Sequence, residues 1–328
     1  MKHSNISIFI PHTGCPHMCS FCNQHTISGA MKPPTGEEVR KTCYEALSYI
    51  KDRKNCEIAF FGGSFTAVPE DYRNELLESV KEFLGEDGFG GIRVSTRPDC
   101  IDENILENLK HYGVTAIELG CQSMDDEVLR LNERGHSSED VVKASELIRQ
   151  YGFELGHQMM TGLYGSSPEK DSMTADRIIA IKPDTVRIYP TVILEGTKLA
   201  ELYRSGEYRT YSLDEMVGYC CGYMERFEAA GIRIIKCGLH ASETVEGEMT
   251  GGYYHPAFRE LCESRKYRNI LDGMLCGEGE YRIGVRPELV SKVTGQKRSN
   301  IEYFSQKGIR IKIVPSDQRE EINVFKIT

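Results

Sequence analysis

Strand-like and helix-like segments alternate along the first two thirds of this sequence, and the alternation restricts the fold more than any other feature. Short apolar runs typical of strands recur at 6–10, 57–61, 92–96, 116–119, 154–158 and 185–189. Segments with helical periodicity separate them, at 37–53, 69–84, 102–112, 138–151 and 168–181. Because a helical crossover returns the chain to the same end of a sheet, the pattern predicts an α/β fold with a parallel sheet.

Both a doubly wound open sheet and a partial barrel fit this pattern. In either arrangement we expect functional residues at the carboxyl ends of the strands. Further helices at 197–205 and 213–230 and strands at 232–236, 309–314 and 322–327 follow. We therefore divide the chain into a core at 1–200 and an extension at 201–328.

Three cysteines, Cys15, Cys19 and Cys22, follow the first predicted strand at close spacing. Three thiolates can hold a [4Fe-4S] cluster and leave one iron open to a further ligand. The same cysteines could hold a structural zinc ion instead, which requires four ligands. The fourth ligand would then come from His12, His17 or His25. The spacing by itself leaves both metal centres open.

Composition narrows the class of protein. The 328 residues are 40% hydrophobic, which suffices for one large α/β domain with an appendage. The first residues lack the basic and apolar segments of a secretion signal, and no apolar run is long enough to span a bilayer. We therefore expect a cytoplasmic protein without membrane contact, whose other cysteines stay reduced.

Charge is distributed unevenly. The net charge of −9 argues against a uniformly basic nucleic-acid-binding protein. Residues 259–328, however, have a balance of +4, against −13 in the rest of the chain. Two small clusters in this region could contact phosphates, namely Arg265, Lys266 and Arg268, and Lys292, Lys297 and Arg298. A solvated basic face explains clusters of this size equally well.

Two glycines and a serine, Gly62, Gly63 and Ser64, end the second predicted strand. Glycine lets the main chain approach a ligand closely, since no Cβ intervenes and positive φ is allowed. The following strands end near Arg97, Gln122 and Arg134. A guanidinium can pair bidentately with a carboxylate, and a Gln amide suits ribose hydroxyls. The recurrence of such residues at successive strand ends indicates a ligand site.

Six segments resemble, in this order, the radical S-adenosylmethionine (SAM) half of the Elongator catalytic subunit and its bacterial relatives. They are Thr-Arg-Pro-Asp, Glu-Leu-Gly-Cys-Gln-Ser, Asn-Glu-Arg-Gly-His, Val-Arg-Ile-Tyr-Pro-Thr, Glu-Gly-Thr-Lys-Leu-Ala and Tyr-His-Pro-Ala-Phe. The resemblance runs from about residue 6 to residue 258. It implies a partial (β/α)6 radical SAM barrel with a C-terminal α/β extension.

The resemblance also implies cofactors and their ligands. A [4Fe-4S] cluster would open SAM reductively to a 5′-deoxyadenosyl radical, with electrons from a flavodoxin- or ferredoxin-type reductant. The implied ligands are Cys15, Cys19 and Cys22 for iron; Gly62, Gly63 and Ser64 for the SAM amino group; Arg97 or Arg134 for its carboxylate; Gln122 and Glu118 for the sugar side; and Met160 and Tyr189 for adenine. Core packing explains Met160 and Tyr189 equally well.

Two departures from the Elongator pattern concern the cysteines and the C-terminal part. The cysteine spacing here is the compact one of the wider superfamily, and the last 70 residues contain no clear acetyl-CoA loop, so we expect no acetyltransferase domain there.

Three substrate hypotheses remain. Because the Elongator subunit modifies wobble uridine in transfer RNA, the leading one is a radical SAM enzyme that acts on RNA. The second is a radical SAM enzyme that acts on a small molecule or peptide, like the related oxygen-independent coproporphyrinogen oxidases. The third is a zinc-bearing RNA-binding module without enzymatic activity.

Overall fold

Seven parallel strands form the main sheet of the protein, in the order β1-β2-β3-β4-β5-β6-β8. The computed structural model describes residues 4–11, 13–16, 18–30, 32–316 and 321–327. The strands are β1 Ser4–Phe9, β2 Cys56–Phe61, β3 Gly91–Thr96, β4 Val114–Gln122, β5 Glu154–Thr161, β6 Thr185–Pro190, β7 Val192–Leu194, β8 Arg233–Cys237, β9 Met249–Gly252, β10 Gly279–Val285, β11 Ile309–Pro315 and β12 Ile322–Lys326.

The helices that connect these strands form the outer layer. They are α1 Gln24–Ser28, α2 Gly36–Tyr49, α3 Glu70–Val80, α4 Glu103–His111, α5 Asp126–Leu131, α6 Ser138–Gln150, α7 Pro168–Ile181, α8 Lys198–Ser205, α9 Leu213–Ala229, α10 Glu243–Glu248, α11 Phe258–Met274, α12 Val290–Thr294 and α13 Ser299–Gln306. None of the described helices is long and apolar enough to cross a membrane.

The predicted α/β fold with a partial barrel is confirmed. The six predicted strands form five parallel pairs in chain order, from β1 with β2 to β5 with β6. The sheet curls so far that Phe9 on β1 and His240 beyond β8 approach to 6.5 Å between ring centroids. A flat sheet would keep its first and last strands apart, so this contact shows that the sheet curls into a partial barrel, although β1 and β8 are not paired with each other in the described sheet.

The helices begin where their sequences supply caps. The Thr35 side chain accepts a hydrogen bond from the Glu38 amide while Glu38 accepts one from the Thr35 amide, which fixes the start of α2. Ser137 with Asp140 does the same for α6. Apolar faces of these helices then pack on the sheet, and the α7 face bears the buried Ile178.

Residues beyond 200 contribute to the barrel as well as to the extension. β8 is the seventh strand of the main sheet, and it pairs in parallel with β6. The hydrophobic core of the barrel reaches Cys262 on α11, whereas Leu271 on the same helix belongs to a second core under the small sheet β11-β10-β12. The change from one core to the other thus falls within α11, and the division at residue 200 stays a prediction.

A short hairpin-like pair covers the carboxyl ends of the strands. β7 and β9 run antiparallel and pack with α10 and α1 around Val192, Leu194 and Val245. The sequence pattern did not predict β7 or α5. Segments of three to six residues are too short for a periodic signal, which is why these elements were missed.

Candidate active-site cavity

A cavity of about 450 Å³ opens at the carboxyl ends of the barrel strands, and all three clustered cysteines line it. They lie in the loop that follows β1, which the parallel sheet brings over the barrel mouth. The sequence-predicted residues that share its wall are Gly62, Gly63, Arg97, Gln122, Arg134, Met160 and Tyr189. All of them except Arg134, which follows α5, come from the ends of five different strands, β2 to β6. The topology therefore brings together residues that are up to 174 positions apart.

The cysteine loop is tied to the loop after α5. Arg134 Nη1 donates a hydrogen bond to Cys19 Sγ at 3.1 Å, and Nη2 donates to the Gly120 carbonyl at 2.7 Å. Burial, together with the neighbouring Cys19 and Cys15 thiols, raises the pKa of Cys22 to about 12. Three thiolates can therefore coexist here only if a positively charged group compensates them, which is the situation that a metal centre provides.

The zinc alternative requires a histidine near these thiols. His12 and His17 lie outside the described residues. His25 Nδ1 is 2.8 Å from the Ala30 carbonyl, so this ring nitrogen is engaged within its own loop. Among the described residues no three Cys, His, Asp or Glu side chains are clustered around a single ion position; the three thiols instead face one cavity.

Several polar atoms of the cavity wall are buried without a partner. They are Arg97 Nη1, Gln122 Oε1 and Arg134 Nε, each shielded from solvent and each lacking a hydrogen bond among the described residues. Gln122 also has a φ of 62°, a left-handed conformation that strains a residue with a side chain. Because buried polar groups are nearly always bonded, the wall is built for polar groups of a ligand.

The glycines after β2 lie against the cysteine loop. Gly62 and Gly63 have φ values of 80° and 57°. A Cβ added to Gly63 would come within 2.2 Å of the Thr13 carbonyl oxygen. The Gly63 amide donates a hydrogen bond to Gln24 Oε1 at 2.7 Å. Only glycine fits this position, which fixes the loops after β1 and β2 relative to each other.

Two of the predicted SAM ligands do not line the cavity. The Ser64 hydroxyl is fully buried, lies 2.8 Å from Thr96 Oγ1 and accepts from the Arg97 amide at 3.3 Å. Ser64 thus ties the ends of β2 and β3 together. Successive residues of a strand point to opposite faces, and Glu118 occupies an inward position of β4. Its buried side chain therefore points into the barrel below the cavity.

Glu118 is the centre of a buried charge network that we call the barrel floor, formed by Glu57, Arg93, Glu118, Glu154 and Arg187. Arg187 donates two hydrogen bonds to the Glu118 carboxylate, at 2.7 and 2.9 Å. Arg93 Nη1 lies 3.4 Å from Oε1 of the same carboxylate. Burial alone would raise the pKa of Glu118, but the two guanidiniums outweigh it and the pKa is lowered. The floor therefore carries its charges in fully paired form.

Three cavity residues were not predicted from the sequence. Gln158 donates to Glu118 Oε2 at 2.8 Å, Arg187 lies over the Phe61 ring at 4.9 Å, and Gln24 holds the Gly63 amide. A polar side chain at an inward position of an apolar strand is the signal that could have identified Gln158 and Arg187. Gln24 offers no comparable signal, because it begins the five-residue helix α1, which is too short for a periodic pattern.

The histidines and the lysine near strand ends separate into two groups. Lys236 and His240 line the cavity. His157 does not, since it is buried behind the sheet with Nε2 2.9 Å from Ser145 Oγ. His255 accepts from the Ala257 amide at 3.0 Å and stabilises the start of α11.

Comparison with known proteins agrees with this geometry. The sequence model of the radical SAM superfamily matches residues 9–178, and that of the Radical_SAM C-terminal domain matches residues 183–268. The chain therefore belongs to the radical SAM superfamily, whose members are enzymes that normally bind a [4Fe-4S] cluster and SAM.

Similar proteins include the MJ0486 protein of Methanocaldococcus jannaschii, 30% identical over 68% of this chain and 67% of that protein. A tRNA uridine(34) acetyltransferase of Dehalococcoides mccartyi is 29% identical, over 62% of this chain and 52% of that protein. The chain thus spans about half the length of that relative. The solved structure of Methanocaldococcus infernus Elp3 with an N-terminal deletion shares the fold, with a TM-score of 0.65 at 24% identity over 84% of this chain and 65% of that one.

Proposed function

We propose that this protein binds a [4Fe-4S] cluster through Cys15, Cys19 and Cys22 and binds SAM in the adjoining cavity, and that it modifies RNA, with transfer RNA as the substrate. The observation that carries this proposal is that three cysteines line the same cavity as Arg97, Gln122 and Arg134, each of which has a buried polar atom without a partner among the described residues. When bound, the cluster would supply the electron that opens SAM to a 5′-deoxyadenosyl radical.

The protein residues have binding and orienting tasks in this proposal. The free Nη1 of Arg97 and the free Nε of Arg134 would donate to the SAM carboxylate, while the main chain at Gly62 and Gly63 would meet its amino group. The Gln122 amide oxygen would accept from a ribose hydroxyl. Met160 and Tyr189 would flank the adenine, and the apolar cover of Val192 and Leu194 would exclude water.

Ser64 and Glu118 take other roles. Ser64 would hold the glycine loop to β3, and Glu118 would keep Arg187 in place below the ligand. Both residues act on the SAM site through neighbours instead of touching the cofactor. An electron donor of the flavodoxin or ferredoxin type and a cytoplasmic location belong to the same proposal.

RNA as the substrate is supported by the similarity to tRNA uridine(34) acetyltransferases and by the +4 charge balance of residues 259–328. The structure distinguishes the two basic clusters of that region. Arg265 pairs with Asp214, Lys266 with Glu228 at 2.8 Å, and Arg268 donates to Asn300 at 3.0 Å. The first cluster is thus engaged internally and is a poor choice for phosphate contacts.

The second cluster keeps two cations available. Lys292 pairs with Glu263 at 3.0 Å, but the exposed side chains of Lys297 and Arg298 have no partner among the described residues. Both residues have positive φ, 50° and 66°, in the turn between α12 and α13. Two adjacent strained residues that display unpaired cations fit a surface that meets phosphate groups.

The decisive experiment combines cluster assembly, SAM cleavage and RNA analysis. Protein reconstituted without oxygen should show iron-sulfur absorption and, once reduced, release 5′-deoxyadenosine from SAM. Cys22→Ala should abolish both, whereas the exposed Cys276→Ala should change neither. Mass spectrometry of tRNA nucleosides from cells with and without the gene should then reveal one missing modification. Stoichiometric zinc without iron-sulfur absorption would refute the cluster, and unaltered nucleosides would refute the RNA substrate.

A further inference from the structure

The charge of the cavity is opposite to the charge of the protein. The chain has a net charge of −9, yet the described residues that line the cavity include Arg97, Arg134, Arg187 and Lys236 and no Asp or Glu. A concave site that collects cations in an acidic protein favours anionic ligands, because field lines concentrate in clefts of low polarizability. The four cations differ in whether the protein already supplies each of them with a partner.

Three of them are accounted for. Arg97 forms a bidentate pair with Asp99, at 2.9 and 2.7 Å, and its remaining nitrogen faces the proposed SAM carboxylate. Arg134 is bonded to Cys19 and Gly120 beside the cysteines. Arg187 is neutralised by Glu118 in the barrel floor.

Lys236 is the cation that remains. It lies on β8 in register with Arg187 on β6, and it is half-buried. No carboxylate among the described residues is within salt-bridge distance, and the charged groups that act on it most strongly are Arg187 and Arg259, both of them cations. Burial lowers the pKa of Lys236, and these two neighbours lower it further. An ammonium group in such a place is unfavourable until an anion binds to it.

The surroundings of Lys236 differ from the SAM side of the cavity. Phe9, Phe61 and His240 line the same end, with ring centroids 6.1 Å apart for Phe9 and Phe61 and 6.5 Å apart for Phe9 and His240. His240 is exposed, so this end opens toward solvent between β1 and β8. An entering molecule would therefore meet an aromatic flank and a lysine before it reached the SAM residues.

We propose that Lys236 forms an oxyanion subsite for the substrate, which would receive a phosphate or carboxylate group at the β8 side of the cavity. The proposal rests on the proposed function, because it makes the cavity shared between SAM and substrate. It deepens that function by requiring the substrate to carry an oxyanion close to the atom that reacts. A nucleotide satisfies this requirement through its phosphate, and the aromatic flank suits a stacked base.

The test measures anion binding, so it does not depend on catalysis. Reconstituted protein, with and without bound SAM, is titrated calorimetrically with inorganic phosphate and separately with acetate at constant ionic strength. We expect Lys236→Gln to weaken binding of the preferred anion at least tenfold, and Lys236→Arg to restore most of it. Lys143→Gln, an exposed lysine of α6 that is paired with Glu139, serves as the matched control and should bind like the parent protein.

The two probes identify the source of the oxyanion. Preference for phosphate supports a nucleotide substrate, and preference for acetate supports the same subsite with a carboxylate from a small molecule or peptide. Binding that is equal in Lys236→Gln and the parent would overturn the proposal, and so would an effect of Lys236→Gln on SAM affinity alone. Failure of SAM or the cluster to bind at all would count against the proposed function, while the titration without SAM would still report on Lys236.

Discussion

The barrel floor and the cavity wall above it are both built from buried polar and charged residues, but the two regions differ in whether those residues find partners within the protein. In the floor every charged side chain that surrounds Glu118 is paired, and Arg93 alone contacts three carboxylates. In the cavity wall, Arg97, Gln122 and Arg134 each keep a buried polar atom that has no partner in the described part of the chain. Paired charge stabilises the barrel, whereas unsatisfied polar atoms are tolerated only where a ligand completes them.

Because of this contrast, substitutions in the two regions should affect different properties, namely stability and ligand binding. A change in the floor should act on folding, and a change in the wall should act on ligand affinity. The strongest effects are expected where a charge would lose its partner in the low-dielectric interior.

The largest effect on stability should come from Glu118→Ala. The substitution leaves Arg187 without its carboxylate and deprives Arg93 of one, and breaking a buried pair in this way costs about 3–5 kcal/mol. Urea unfolding followed by circular dichroism measures the loss. Glu139→Ala, which removes an exposed partner of Lys143, is the control and should leave the unfolding curve unchanged. A loss below about 1 kcal/mol for Glu118→Ala would mean that the floor does not hold the barrel.

Asp171 is a buried carboxylate that has no cationic partner among the described residues, and it sharpens the same comparison. It accepts hydrogen bonds from the Gly162 amide at 2.7 Å and the Ser166 hydroxyl at 2.5 Å, and burial raises its pKa to about 6. Its pKa in the unfolded chain is about 3.9. The folded state therefore binds the proton more tightly, so stability from this group is complete below about pH 4 and is lost as the pH rises through 6.

The expected loss between pH 4 and pH 7.5 is about 2–3 kcal/mol. Asp171→Asn should remove it, so the stability difference between variant and parent should shift in favour of the variant as the pH rises. Asp140 contributes to stability with the opposite dependence on pH, because its hydrogen bonds with Ser137 at the start of α6 lower its pKa. Parallel pH profiles for parent and Asp171→Asn would contradict the assignment of a raised pKa.

In the wall, Arg97→Gln and Gln122→Asn should weaken SAM binding about tenfold, which corresponds to about 1.4 kcal/mol. Asn tolerates the left-handed backbone of Gln122 but withdraws its amide by one carbon. Iron content and unfolding should change little, since Asp99 is close enough to the surface to be solvated without Arg97. Gln150→Asn, at the end of α6, is the control. Unaltered SAM affinity in both wall variants would separate them from the cofactor site.

The sequence predicted the parallel barrel because six strand-helix units leave few alternatives, and it predicted the cysteine loop because strand ends meet at one edge. It could not predict that Glu118 points down into the floor while Gln122 points into the cavity. That difference depends on a register shift in β4, between Leu119 and Gln122, and on the positive φ of Gln122. Charge counting also could not show that Arg265 is engaged with Asp214, a residue 51 positions away.

The smallest effect should appear in the extension, where the same rule of paired and unpaired charge applies at the surface. If Lys297 and Arg298 contact phosphates, the double variant Lys297→Gln, Arg298→Gln should flatten the log-affinity against log-salt slope for transfer RNA by about one unit per lost contact. The triple variant Arg265→Gln, Lys266→Gln, Arg268→Gln is the matched comparison, and its slope should change less because those cations already have partners. Thermal unfolding of both variants controls for structural damage, to which the triple variant is more prone. If the slope flattens more in the triple variant than in the double variant, the internal ion pairs open on RNA binding and the phosphate contacts belong to α11. If the parent protein has no affinity for RNA at low salt, a small-molecule substrate is favoured instead.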